Sequence, residues 1–80
     1  MDTYSAVKQR IMALCEEKRW SIYKLSNESG ISPSTIKSIL YGKSQNPGIV
    51  TIKILCDGLG IKLSDFFNDK IFSNLEQEIK

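Results

Sequence analysis

No stretch of this 80-residue chain alternates apolar and polar side chains with period two for long. Its apolar residues recur at spacings of three and four, and the runs stop at glycines. That spacing gathers the apolar side chains of each segment on one helical face. Short helices broken at Gly30, Gly42 and Gly60 build a core only by packing on one another, so the expected fold class is all-α. The length allows one small domain, and a chain this size buries only about two thirds of its unfolded surface, so the core must be economical.

Individual helices can be placed from their periodicity and end signals. Tyr4, Val7, Ile11 and Leu14 share a face of the first, with Asp2 or Thr3 as N-cap. Lys18 and Arg19 suit its C-terminal dipole, and it should fail by Trp20. A second helix, about 22–28, starts from Ser21 as N-cap, turns Ile22 and Leu25 inward, and stops before Gly30. The third, about 33–41, has Ser32 as N-cap, Pro33 at the first helical position and Gly42 as terminator. Lys43 to Gly48 is polar and contains Asn46-Pro47-Gly48, which marks a loop. Ile49, Ile52, Leu55, Cys56 and Leu59 define a fourth helix closed by Gly60. Ser64 is the expected cap of a short fifth helix holding Phe66 and Phe67. In the tail, Ser73-x-x-Glu76 is a capping-box signal for one or two more helical turns.

Composition excludes several function classes. Hydrophobic residues are 41% and charged residues 25%, which suits a folded soluble chain rather than a disordered one. No apolar run reaches the roughly 18 residues of a membrane span. The first ten residues lack the basic-then-apolar order of a secretory signal, so a cytoplasmic location is expected. There is no histidine, which removes the commonest general base and every Ser-His or Cys-His nucleophile pair. The acids fall near helix ends or in the tail, so no catalytic carboxylate pair stands out and no enzyme is expected. Cys15 and Cys56 are too few for a four-ligand zinc site and read as small core residues. No metal, cofactor or small-molecule substrate is expected.

Charge is unevenly distributed. Lys18, Arg19, Lys24, Lys37, Lys43, Lys53 and Lys62 stand against only Glu28 and Asp57 in the middle of the chain. No acid occurs from Ser29 to Cys56, whereas both ends carry net negative charge. A basic middle with acidic flanks suits a polyanion-binding surface, and an ordinary solvated surface would also accommodate it. The third helix narrows the choice. With Ile36, Ile39 and Leu40 turned to the core, Ser34, Ser38 and Tyr41 fall on the other side, flanked by Thr35 and Lys37. A helix of that width fits a B-form major groove, where hydroxyls and a lysine bond base edges.

The run from Ser21 to Lys43, with Leu25, Gly30, Ile31, Ile36, Ile39 and Gly42 at its structural positions, resembles the helix-turn-helix of lambda-repressor/Cro-like (XRE-family) DNA-binding proteins. The resemblance continues through Asn46-Pro47, Leu59-Gly60-Ile61 and Leu63-Ser-Asp-Phe-Phe67, covering about residues 5–68. It implies a compact five-helix domain over 1–68, followed by a short helical tail over 69–80 that folds back on the first helix or meets a second subunit. It also implies a sequence-specific regulator of transcription, prokaryotic or phage, that binds double-stranded DNA as a homodimer. Carried over by position, Ser32, Pro33, Ser34, Thr35, Lys37 and Ser38 would face bases. Ser21, Tyr23, Tyr41, Lys43, Ser44, Gln45 and Asn46 would face phosphates, with free N–H groups near Ile49.

The chain departs from the family pattern at several points. Ile22 stands where many members carry a phosphate-bridging Gln, and Pro33 where members often carry a base-reading Gln. The third helix has no Gln, Asn or Arg for a bidentate base contact. Cys15 and Leu40 replace a buried Arg–Glu pair common in the family, an apolar swap that need not destabilise. Direct readout should therefore be modest, with groove shape and dimer spacing supplying specificity. The alternative is a protein-interaction module, antitoxin-like, on the same fold.

Overall fold

The computed structural model describes residues 1–79, leaving Lys80 of the 69–80 tail outside the described residues. Five helices run in order: α1 Thr3–Lys18, α2 Ile22–Ser29, α3 Pro33–Leu40, α4 Ile49–Leu59 and α5 Leu63–Phe67. A single 3-10 turn, Lys70–Phe72, follows. No strand occurs among the described residues.

Three helix starts are set by local caps. The side chains of Asp2, Ser21 and Ser32 each accept the N–H three residues ahead, from Ser5, Lys24 and Thr35. At the other ends, α1 closes on Arg19 (φ 57°), the sole non-glycine with positive φ among the described residues, and α2 and α4 close on Gly30 and Gly60. The α3 helix ends at Leu40, one residue before the expected limit, with Tyr41 as C-cap and Gly42 just beyond.

Two end signals behave differently from expectation. Lys62, not Ser64, is the N-cap of α5. The reason is Asp65, whose carboxylate reaches back to accept the Lys62 N–H at 3.1 Å, so the helix begins one residue before Ser64. No helix starts from Ser73, which with Asn74 forms only a turn, and the chain from Leu75 to Glu78 is irregular. Glu76 is used elsewhere: its N–H donates to the Met1 carbonyl at 3.1 Å and its carboxylate pairs with the N-terminal amine at 3.3 Å. Thr3 donates to Glu78 at 2.8 Å, so the tail lies along the start of α1.

The core collects the expected stripes. Val7, Ile11 and Leu14 of α1 meet Leu25, Ile36, Ile39, Ile52, Leu55, Cys56, Leu59 and Phe66, all buried. Trp20 and Leu40 pack half-buried on its edge, together with Cys15. Burial pushes both thiols up from their ordinary pKa, the opposite of nucleophile activation. Arg10 joins the ends of the domain. Its guanidinium donates to the carbonyls of Phe66 (2.7 Å) and Asp65 (2.9 Å) and pairs with Asp69 at 3.3 Å, neutralising the exposed end of α5.

Candidate nucleic-acid interface

The α2–α3 turn is stitched by serines. Gly30 takes the left-handed conformation (φ 80°), a backbone that L side chains adopt at a cost. Ser26 then donates to the Ile31 carbonyl at 2.6 Å, and Ser29 donates to the Leu25 carbonyl at 2.7 Å while accepting the Ile31 N–H at 3.2 Å. These bonds satisfy the polar backbone of a tight corner and set the angle between the two helices. Tyr4 of α1 donates to the Ile39 carbonyl and so holds the far end of α3. The roles of Ser26, Ser29 and Tyr4 were not apparent from sequence; only Ser29 had a signal, its place beside Gly30.

At the start of α3, Ser32, Ser34 and Thr35 form one hydroxyl cluster. Ser32 Oγ lies 3.2 Å from Ser34 Oγ and 2.9 Å from Thr35 Oγ1. All three residues are exposed, and Pro33 is half-buried beside them. One turn on, Ser38 Oγ donates to the Ser34 carbonyl at 2.9 Å, which leaves its lone pairs open as acceptors. Ile36 and Ile39 are buried on the opposite side. The helix therefore presents a hydroxyl-rich edge with no acid in it.

Lys37 is placed differently from the hydroxyls. Its ammonium donates to the Tyr23 hydroxyl at 3.0 Å and sits 5.0 Å from that ring's centre, bridging α3 to the first turn of α2. This bond, and then the charge behind it, lowers the Tyr23 pKa from the ordinary phenol value and raises that of Lys37. Lys37→Met is expected to move Tyr23 back upward, seen as a shift of its ultraviolet absorbance titration to higher pH. An unchanged curve would show that the bond does not persist in solution.

The loop after α3 lies against it, because the Ser44 N–H donates to the Ser38 carbonyl at 2.8 Å. Gln45 donates to the Gly42 carbonyl at 3.1 Å. Tyr41, Lys43, Gln45 and Asn46 are exposed and Ser44 is half-buried. Gly48 then caps α4 without any side-chain acceptor, so the first-turn N–H groups of α4 meet no capping side chain. Ser21 is occupied as the α2 cap. The bonds Lys37–Tyr23 and Ser44–Ser38 thus tie the start of α2, the exposed edge of α3 and the following loop into one continuous unit. Glu28 is the nearest acid in sequence, and it is paired with Lys24 at 2.8 Å.

Among the described residues there is no group of three or more potential metal ligands, and no helix is long and apolar enough to cross a membrane.

A family model described as a Cro/C1-type HTH DNA-binding domain matches residues 10–70. A solved structure described as the crystal structure of the prophage Lp1 protein 11 is similar over 94% of this chain and 100% of that one, at 29% identity and a TM-score of 0.78. No curated protein matches.

Proposed function

The chain belongs to the Cro/C1-type helix-turn-helix DNA-binding family, and from that premise we propose that it is a sequence-specific regulator of transcription that inserts α3 into the major groove of double-stranded DNA. The observation that carries the proposal is the exposed, acid-free hydroxyl edge of α3, backed by buried Ile36 and Ile39. Ser32, Pro33, Ser34, Thr35, Lys37 and Ser38 are the residues proposed to meet base edges. Hydroxyls donate or accept at either base type, so they read sequence more permissively than a bidentate Gln, Asn or Arg. Ser21, Tyr23, Tyr41, Lys43, Ser44, Gln45 and Asn46 are proposed to meet phosphates. The uncapped N-terminus of α4 supports this, because free N–H groups and the helix dipole favour an anion.

Two measurements test the proposal. Selection from a random duplex pool should return a shared motif, and failure to retain any duplex at low salt would favour the protein-interaction alternative. Lys43→Ala should weaken binding to all sequences alike and reduce the slope of log affinity against log salt by about 0.9. A slope that does not change would remove Lys43 from the phosphate contacts.

A further inference from the structure

A hydroxyl carries one hydrogen and two lone pairs, so what it reads depends on where its hydrogen already goes. Along the exposed edge of α3 the answer differs between residues. Ser32 shares a bond with Ser34 at 3.2 Å and with Thr35 at 2.9 Å, and in each pair either oxygen serves as donor. These three hydroxyls therefore meet a base edge of either polarity. Ser38 is fixed. Its partner is the Ser34 carbonyl at 2.9 Å, a group that only accepts, so the Ser38 hydrogen is spent within the helix. Only lone pairs remain for an outside group. Ser38 is half-buried, on the side of α3 away from buried Ile36 and Ile39. Lys37 beside it carries only donors, but its ammonium turns to the Tyr23 hydroxyl at 3.0 Å.

We propose that Ser38 is a specificity-determining residue that selects an amino-bearing base, adenine or cytosine, over guanine and thymine. In the major groove adenine presents its N6 amino group and cytosine its N4 amino group, each with one hydrogen free of the base pair. Both are donors, and a hydroxyl left with lone pairs alone matches either. Guanine presents O6 and N7, and thymine presents O4, all of them acceptors. Against these, Ser38 must set lone pair against lone pair or swing its hydrogen away from the Ser34 carbonyl. Either course forfeits about one neutral hydrogen bond, so the discrimination is roughly 3- to 10-fold. Ser38 does not tell purine from pyrimidine, because one amino base of each kind qualifies. It reads the polarity of the base edge. This role rests on the entry of α3 into the major groove, proposed for the domain as a whole.

The test compares the wild-type chain with Ser38→Ala, each selected on a random duplex pool, with circular dichroism to check folding. Alanine is the stronger helix former, so the fold should hold. The wild-type sites should contain a position that admits adenine and cytosine roughly 3- to 10-fold over guanine and thymine. In Ser38→Ala that position should level to all four bases while the others keep their preferences. Adenine at that position is then replaced by purine, which lacks the 6-amino group. Wild-type affinity should fall by the same factor, and Ser38→Ala should bind the two duplexes alike. A wild type that binds the purine duplex undiminished overturns the assignment without reference to any variant. So does an equal loss in both proteins, a Ser38→Ala motif identical to the wild-type one, or levelling at a position where guanine or thymine was preferred. Those outcomes leave a selected motif in place and spare DNA reading; a wild-type chain that retains no duplex at low salt removes both.

Discussion

Phe66→Ala is expected to lower stability by about 3–5 kcal/mol. A domain of 80 residues has roughly 4–12 kcal/mol in total, so the loss is a large fraction of the stability. Phe66 is fully buried and is the largest side chain in that state. Its ring meets Phe67 edge-on at 4.9 Å and Phe72 at 6.0 Å, and the Arg10 guanidinium lies 5.9 Å from its centre. Truncation leaves a cavity between α4, α5 and the tail, and loosens the seat of Arg10. Urea unfolding measures the loss. Phe67→Ala is the control, since Phe67 is 36% exposed and should cost far less. Equal losses from the two variants would mean that α5 is not docked through Phe66.

Gly58→Ala is the second large effect, and its sign runs against helix propensity. In an exposed helix interior this change gains about 1 kcal/mol. Here a Cβ on Gly58 would lie 2.8 Å from both the Cα and the N of Ser29, and 2.9 Å from its Cβ. Backbone atoms cannot swing aside as a flexible side-chain tip can. Ser29 is also the last residue of α2 and is bonded into the turn through Leu25 and Ile31. The added methyl must push the α2–α3 corner away from α4. Overpacking of this kind costs typically 1–3 kcal/mol, which exceeds the propensity gain, so a net loss is expected. DNA affinity should fall further than stability alone accounts for, because the corner carries α3 with it. Gly30→Ala provides a contrast: nothing lies within 4 Å of its Cβ position, and its penalty comes from the left-handed backbone alone. A Gly58→Ala variant as stable as the parent would show that α2 and α4 separate without cost.

Much of the architecture was readable in the residues. Ser21, Ser32 with Pro33, and the glycines at 30 and 60 mark helix ends where the helices do end. The apolar stripes named most of the buried residues of α1, α3 and α4, but they missed Ala6, which is fully buried, and included Ile49, which at the first turn of α4 is 56% exposed. The exposed edge of α3 followed from the same wheel. Where the reading failed, a distant or reversed partner intervened. Ser64 looked like a cap, but Asp65 reaching back moved the helix start to Lys62. Ser73 and Glu76 looked like a capping box, but Glu76 is drawn to Met1. Lys37 flanks the exposed edge of α3 as the wheel places it, and its bond to Tyr23, fourteen residues earlier, carried no local signal.

Helix type, most helix limits and the inward faces were determined by the sequence itself, because caps and apolar periodicity act within about four residues. Tertiary structure alone decided that Gly58 is a point of close approach, that Arg10 closes the end of α5, and that the tail lies on α1. Each of these joins groups far apart in the chain, 56 positions in the case of Arg10 and Phe66, so no local pattern encodes them.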